Sequence, residues 1–210
     1  MHILSHTSKP SESVKRLLDA IKQEENILHY GNGVDKITQY KYFTDKAIPS
    51  VEWVTEKNLA QKWLAEGSTI ICRTTIKGQT GSGILVVKPG EDVPEAEVYT
   101  KYISHKREFR VNLFKHKLVN VREKKKKLGF KGGDFHIRNL ANGYTTSKCK
   151  NYPAQVIELA ARASMCSESN FIGVDIGYNE LKDYAFVIEV NSGPSIEGSS
   201  VQDFVKAMLA

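Results

Sequence analysis

The sequence predicts an α+β fold in which mostly antiparallel strands are covered by helices. Apolar residues recur at helical spacing near the start and near the end of the chain. Between them, short strand-like segments follow one another, with turn residues in the gaps. No internal repeat or long linker interrupts this order, and 210 residues are enough to bury a sizeable core.

Helical patterns dominate the first third of the chain, after a short strand. The stripe of the first predicted helix consists of Val14, Leu17, Leu18 and Ile21. A second, shorter helix is predicted around residues 36–43. Thr55 is placed to cap a third helix that ends before Gly67. Leu59 and Trp63 lie on one face of that third helix.

A series of strands comes next, at residues 69–74, 84–87, 98–103, 108–114 and 118–122. The fourth alternates, because Phe109, Val111 and Leu113 share one face and polar side chains occupy the other. Residues 123–150 are basic, polar and glycine-containing, so this segment is predicted to be mostly loop.

Order returns towards the carboxyl end. Pro153 suits the first turn of a helix whose stripe consists of Val156, Leu159, Ala160 and Ala163. Strands are predicted at residues 171–176 and 184–190, joined by a turn. The stripe of the last helix consists of Val201, Phe204, Val205 and Met208.

Composition excludes several classes of protein. The cysteines, Cys72, Cys149 and Cys166, are too few and too scattered for a disulfide framework, and without a CxxC pair a structural zinc site is not expected. The first twenty residues lack the apolar run of a signal peptide, and no stretch approaches eighteen apolar residues. We therefore expect a reducing, cytoplasmic location and no membrane partner.

Positive charge is concentrated in the middle of the chain. Residues 101–150 hold 15 Lys and Arg against 3 Asp and Glu, a net charge of +12, whereas the whole chain carries +6. The segment therefore predicts an anionic partner, such as nucleotide phosphates, an acidic substrate or nucleic acid. The four consecutive lysines at 124–127 fit either such a partner or a solvated loop.

Two carboxylates and an amide are predicted to converge near the carboxyl end. Glu189 and Asn191 stand two apart on a strand, so their side chains point to one face. Asp175 lies in a strand that can pair with it. Hard oxygen ligands of this kind suit Mg²⁺, with ordinary solvated acids at a strand end as the alternative.

A glycine-rich segment, residues 77–84, lies between two predicted strands. Glycines let backbone N–H groups approach phosphate oxygens closely. The segment fails the P-loop pattern because Ile84 stands where lysine is needed, and it fails GxGxxG because Val86 replaces the last glycine. A plain hairpin turn is the alternative.

Two further features are weaker. Glu108 and Arg110 share a strand face, where they either bind a ribose and a phosphate or pair with each other. His136 has no visible acid or cysteine partner at catalytic spacing, so a loop histidine is the favoured interpretation.

Taken together and in this order, these features resemble the ATP-grasp ligases. The resemblance is closest to the RimK-type branch, which adds glutamate to the carboxyl end of ribosomal protein S6, and it runs from about Asp35 onwards. The segments that carry it are residues 71–73, 78–83, 102–103, 108–111, 134–143, 173–175 and 188–198. It implies two α+β subdomains that clamp ATP, at residues 46–103 and 104–210, after a shortened N-terminal α/β region at 1–45.

The resemblance also implies a role for each matching residue. It places the nucleotide phosphates under the glycine-rich loop, adenine against the strand end, the ribose on Glu108 and the metal on the carboxylates. The implied nucleotide-binding residues are Arg73, Gln79, Thr80, Gly81, Ser82, Gly83, Lys101, Tyr102, Ile103 and Glu108. The implied ligands of Mg²⁺, or of Mn²⁺, are Asp175, Glu189 and Asn191. The implied catalytic residues are Arg110, Arg138 and Asn139. Arg73 stands where the family usually has a lysine.

The implied activity is an ATP-dependent carboxylate–amine ligase that works through an acyl phosphate. Its partners would be a carboxylate substrate and an amine acceptor, with a peptide or protein terminus among the candidates, and an oligomer is compatible with the shortened N-terminal region. Two alternatives stay open. One is a kinase of a polyanionic small molecule on the same fold, and the other is a nucleotide- or nucleic-acid-binding module without turnover.

Overall fold

The structure is a computed structural model that describes residues 2–4, 27–29, 33–76, 83–196 and 198–210. The predicted helix with its stripe at residues 14–21 and most of the glycine-rich segment lie outside the described residues. A two-stranded parallel sheet joins β1 (His2–Leu4) to β2 (Ile27–His29), with His2 opposite Ile27.

Helix α1 (Lys36–Asp45) confirms the second predicted helix and extends it by two residues. It begins at Asp35, whose Oδ1 accepts a hydrogen bond from the backbone N–H of Thr38 at 2.9 Å. The buried side chains of Tyr40 and Phe43 anchor the helix in the main hydrophobic core.

A four-stranded antiparallel sheet forms the first large layer, in the order β3-β6-β4-β5. Its strands are β3 (Trp53–Val54), β4 (Ile70–Arg73), β5 (Ile84–Val87) and β6 (Val98–Lys101). Helix α2 (Lys57–Ala65) covers one face, where Ala60 and Leu64 pack with Ile70, Cys72 and Tyr99.

The start and face predicted for helix α2 are wrong in detail. Glu56, not Thr55, occupies the cap position, and Leu59 is exposed. The buried stripe runs instead through Ala60 and Leu64, one residue further along, so Trp63 is only partly buried.

A five-stranded antiparallel sheet forms the second layer, in the order β11-β10-β7-β8-β9. Its strands are β7 (Arg107–Phe114), β8 (Lys117–Lys126), β9 (Tyr144–Lys148), β10 (Phe171–Asn179) and β11 (Tyr184–Asn191). The interpretation of residues 123–150 as mostly loop is therefore wrong at both ends of that segment. Strand β8 continues to Lys126, and β9 pairs with it as a further strand.

The two faces of the five-stranded sheet differ in chemistry. Helix α3 (Ala154–Ser164) packs Val156 and Ala160 against the apolar face, which includes Val111 and Val174. Helix α4 (Ser199–Leu209) closes one end of the sheet through Phe204. The face of the sheet opposite α3 is polar where α4 does not cover it, and it carries the charged residues described next.

Among the described residues, no helix combines the length and the hydropathy needed to cross a lipid bilayer.

Candidate active site

Two carboxylates face each other across the pair of strands β10 and β11. Asp175 lies opposite Glu189, and Gly173 lies opposite Asn191, in an antiparallel register that shifts immediately after Asp175. Directly paired residues share a face, so the three side chains predicted to bind a metal ion do converge. The amide Nδ2 of Asn191 donates to Oε1 of Glu189 at 3.2 Å.

Asp175 on β10 is held by two cationic side chains, one from β7 and one from β8. Arg110 donates from Nε to Oδ1 and from Nη2 to Oδ2, both at 2.7 Å, which is the bidentate geometry of a guanidinium on a carboxylate. Lys124 Nζ lies 2.8 Å from Oδ2. Burial alone would lower the pKa of Arg110, but Asp175 more than compensates and raises it. The alternative that Arg110 pairs with Glu108 is therefore not the one that the structure adopts.

Glu108 is equally well paired. It accepts from Lys124 Nζ at 2.5 Å, and its second oxygen lies 3.2 Å from Nε2 of His105. The other ring nitrogen of His105 lies 2.7 Å from the carbonyl oxygen of Ile103. Burial raises the pKa of Glu108, but Lys124 and His105 outweigh this effect and lower it to about 2.

Lys124 is a site residue that sequence reasoning missed. Its side chain is 12% exposed, whereas that of Lys125 is 63% exposed and pairs with Glu123. Strand alternation explains the difference, because β8 points Lys124 to the polar face and Lys125 away from it. The lysines at 124–127 are therefore not a uniform solvated run.

Glu189 is also bound by two cations, each from a different part of the chain. Lys36 Nζ, at the first turn of α1, lies 2.9 Å from Oε2, and Arg73 Nη2, at the end of β4, lies 3.5 Å from the same oxygen. Burial raises the pKa of Glu189, but Lys36 and Arg73 reverse the shift and lower it. Lys36 was not predicted, and the available signal was a lysine directly after the Asp35 helix cap.

Arg138 lies on the loop between β8 and β9. It donates from Nη2 to the carbonyl oxygen of His105 at 2.6 Å and from Nη1 to that of Lys106 at 3.0 Å, and its Nε lies 3.7 Å from Glu108. Asn139 accepts at Oδ1 from the backbone of Asn142, so it shapes the loop. Arg138 therefore approaches the site at Oε2 of Glu108, the oxygen that does not accept from Lys124.

His136 does have an acidic partner, contrary to the sequence interpretation. Its Nδ1 lies 2.5 Å from Oδ1 of Asp134, two residues earlier in the chain. The His136 ring meets the edge of the Tyr102 ring, with 4.6 Å between centroids. Tyr102 and Ile103 lie, with His105, in the segment between β6 and β7 that connects the two large sheets.

Lys101 points away from the carboxylates. Its side chain pairs with Glu52 at 2.9 Å and lies over the Trp63 ring, 4.9 Å from the centroid. It is opposite Ile70 in the sheet, on the face that α2 covers, whereas Arg73 lies on the other face.

The glycine-rich hairpin is described only at its closing end. The backbone N–H of Thr74 donates to the carbonyl oxygen of Gly83 at 2.8 Å. Gly83 has a φ of +72°, and a Cβ there would lie 2.7 Å from Thr74 Oγ1. The predicted nucleotide-binding residues that lie outside the described part are Gln79, Thr80, Gly81 and Ser82.

Several solved structures share this arrangement of sheets and helices. The ATP-grasp ligase PsnB complexed with a minimal precursor superimposes with a TM-score of 0.64 at 13% identity, over 86% of this chain and 64% of that chain. D-alanine–D-alanine ligase from Bacillus anthracis superimposes with a TM-score of 0.60 at 16% identity, over 94% of this chain and 70% of that chain. A RimK domain ATP-grasp protein from Sphaerobacter thermophilus superimposes with a TM-score of 0.63 at 10% identity, over 98% of this chain and 97% of that chain.

The chain has the ATP-grasp fold. It spans a little less than two thirds of PsnB but almost all of the Sphaerobacter protein. No protein-family model and no curated protein matches the sequence. The α+β class and the ATP-grasp architecture expected from the sequence are thereby confirmed at the level of the fold.

The donor set of this candidate site fits a hard divalent cation. The described residues contain no group of three or more His, Cys, Asp or Glu side chains that could hold a metal ion. Asp175, Glu189 and Asn191 nevertheless offer two carboxylates and an amide, and Mg²⁺ commonly takes one or two protein carboxylates and completes its shell with phosphate oxygens and water. In addition, Nε of Arg73 is buried without a hydrogen-bond partner among the described residues, so it is suited to an incoming anion.

Proposed function

We propose that this chain is an ATP-dependent carboxylate–amine ligase that forms an amide or peptide bond through an acyl phosphate. The observation that supports it most is the paired carboxylates Asp175 and Glu189, each clamped by two cations on one buried face. Cations and carboxylates in such proximity suit a reaction in which two anions must approach each other.

Five Lys and Arg side chains lie within salt-bridge distance of three carboxylates. The cations are Lys36, Arg73, Arg110, Lys124 and Arg138, and the carboxylates are Glu108, Asp175 and Glu189. The excess of positive charge favours a polyphosphate ligand. Asp175, Glu189 and Asn191 would hold Mg²⁺ or Mn²⁺, which supplies charge neutralisation between the phosphates when bound. A cation on the carboxylates would repel the Lys124 ammonium and the Arg110 guanidinium, leaving both to pair with phosphate oxygens.

The chemistry follows from this placement. A substrate carboxylate oxygen attacks the γ-phosphorus of ATP, a new O–P bond forms, and the bond to the bridging oxygen breaks to release ADP. The amine nitrogen then attacks the acyl carbon, the C–O bond to phosphate breaks, and the amine loses a proton as inorganic phosphate leaves. Lys124 and Arg110 lower the repulsion in the first step because both are fixed beside the expected phosphate position.

The proposed subdomains would each contribute. Lys36 belongs to the N-terminal region at 1–45, Arg73 to the proposed subdomain at 46–103, and Asp175 with Glu189 to that at 104–210. The phosphate site would therefore draw on all three regions of the chain. Glu108 would be the ribose ligand only after exchanging one of its present partners.

A peptide is the substrate class that we favour. One similar structure is described as PsnB complexed with precursor peptide PsnA2 and AMPPNP, and it matches with a TM-score of 0.61 at 13% identity. Among the described residues, the side chains bonded to Glu108, Asp175 and Glu189 include no cysteine, serine or threonine, which agrees with direct transfer to substrate rather than through a protein intermediate.

The test is an ATP turnover assay with Mg²⁺ and a panel of amino acids and short peptides, followed by ADP measurement and product mass. We expect a product heavier by the amine component minus water. A product heavier by one phosphate would replace the ligase with the kinase. Tight ATP binding without ADP release under every condition would favour the binding module.

A further inference from the structure

The loop between β8 and β9, residues 127–143, is a closed and internally bonded unit. The backbone N–H of Lys127 donates to the carbonyl oxygen of Gly143 at 2.8 Å, which closes the base. The backbone N–H of Asp134 donates to Oδ1 of Asn142 at 3.0 Å, and Asn142 Nδ2 donates to the carbonyl oxygen of Ile137 at 2.9 Å. These bonds tie the two arms of the loop together.

Glycines fix the shape of this loop. Gly133 and Gly143 have φ values of +76° and +78°. A Cβ on Gly143 would overlap the ring of Phe130, and a Cβ on Gly133 would lie 2.9 Å from the carbonyl oxygen of Asn142. The sequence therefore specifies one compact arrangement of this loop, because other residues at these two positions would force its arms apart.

Large apolar side chains nevertheless point out of the loop. Leu128 is fully exposed, Phe135 is 58% exposed and Leu140 is 71% exposed. An ordered loop that presents several large apolar side chains to solvent is typical of a binding surface. The end of β8 and the first arm of the loop also carry exposed positive charge, from the side chains of Lys125, Lys126, Lys127 and Lys131.

The loop is also fixed beside the candidate active site. Arg138 bonds the backbone carbonyls of His105 and Lys106 and approaches Glu108, and the ring of His136 contacts that of Tyr102. A partner bound on the loop would therefore lie at the rim of the site.

We propose that the β8–β9 loop is a docking surface for an acidic polypeptide segment that carries large apolar side chains. Lysines complement the acidic residues, and Leu128, Phe135 and Leu140 bury the apolar ones. A nucleic acid would use the lysines but not the aliphatic side chains. The proposal rests on the proposed function in one respect: the docked polypeptide is the chain that brings a reacting carboxylate or amine to the site.

The test measures binding and needs no turnover. The probe is a short fluorescein-labelled peptide of repeating Glu-Glu-Leu-Phe, followed by fluorescence anisotropy. The comparison probes are repeating Glu-Glu-Ser-Ser, repeating Lys-Lys-Leu-Phe and a labelled single-stranded oligouridylate. We expect the first peptide to bind at least about tenfold more tightly than each of the others, as burial of one or two apolar side chains requires.

Two double variants locate the surface. Lys127→Glu with Leu128→Ser changes the loop, whereas Leu181→Ser with Lys182→Glu changes an equally exposed leucine–lysine pair in the turn between β10 and β11. We expect the loop variant to lose about tenfold in affinity for the Glu-Glu-Leu-Phe peptide and the turn variant to bind normally. Both should bind a fluorescent ATP analogue as the unmodified protein does.

Three results would overturn the proposal of a docking surface. The first is that the Glu-Glu-Ser-Ser peptide binds as tightly as the Glu-Glu-Leu-Phe peptide, and the second is that both double variants bind the latter with equal affinity. The third is that oligouridylate binds more tightly than the peptides and that the loop variant abolishes this binding. Failure of the proposed function is distinguishable, because a protein that binds the peptide but forms no ADP retains the docking surface and loses only the ligase.

Discussion

The ammonium group of Lys124 lies 2.8 Å from Oδ2 of Asp175, one of the two carboxylates that face each other across β10 and β11. The same ammonium group binds Glu108, so one largely buried lysine connects the expected ribose ligand to the expected metal ligand. This bridge makes Lys124 the most informative residue of the site to change.

We expect Lys124→Met to lower ADP formation by at least about a hundredfold, because a charged hydrogen bond to the reacting phosphates would be lost. The variant should also lower the free energy of unfolding by about 3 kcal/mol, since two buried carboxylates lose a partner. Urea unfolding and an ADP assay measure the two effects. Lys125→Met is the matched control, and near-equal rates for the two variants would remove Lys124 from the site.

We expect Glu189→Gln to abolish Mg²⁺-dependent ADP formation while the fold stays near normal. The amide keeps the size of the side chain but loses the charge that would hold a divalent cation. The measurement is a Mg²⁺ titration of ADP formation with circular dichroism as the check on folding. Glu180→Gln, at an exposed position, should behave as the unmodified protein. An unchanged Mg²⁺ dependence in Glu189→Gln would contradict the metal assignment.

We expect Arg73→Lys to keep ADP formation within about tenfold of the unmodified protein, because the charge beside Glu189 is retained. Arg73→Met removes that charge and should lose about a hundredfold. The measurement is the KM for ATP and the kcat of both variants, which shows whether the charge alone accounts for the role of Arg73. A complete loss in Arg73→Lys would instead show that the planar guanidinium is required, since lysine cannot reproduce its fork of donors.

We expect the Glu108 cluster to make stability depend on acid pH. The pKa of Glu108 is about 2 in the folded protein, below the ordinary value of 4.5. Its contribution, on the order of 3 kcal/mol, is therefore present above about pH 4.5 and is lost as the pH falls towards 2. This contribution is measured by urea unfolding of the unmodified protein and of Glu108→Gln, from about pH 6 down to about pH 3. Parallel pH profiles would exclude Glu108 as the source.

Strand alternation and turn residues were enough to predict most of the fold. The paired carboxylates were predictable because Glu189 and Asn191 alternate with apolar residues, and Asp175 stands in an apolar strand. In the run of lysines at 124–127 every position has the same residue, so the alternation that buries Lys124 leaves no trace in the sequence. The sequence consequently predicts a strand that ends at residue 122, whereas β8 continues to Lys126.

Other site residues were hidden for different physical reasons. Lys36 reaches Glu189 from a helix about 150 positions away in the chain, a contact that depends on packing rather than on local pattern. The contact of Asp134 with His136 leaves no signal in the sequence, because a two-residue spacing is not a catalytic signature in a loop. The family resemblance implies a nucleotide-binding role for Lys101, but strand pairing with Ile70 turns its side chain to the opposite face from Arg73.

The side-chain amide of Gln39 covers part of the edge strand β11, where another molecule could otherwise add a strand. Its Nε2 donates to the carbonyl oxygen of Val190 and its Oε1 accepts from the N–H of Val190, each at 2.9 Å, while the carbonyl of Pro49 accepts from Val187. Strand β11 is the outermost strand of its sheet, and these contacts occupy hydrogen-bonding groups along its open side. A chain shortened past Gln39 would present that side to a strand from another molecule, so it would self-associate as well as lose Lys36.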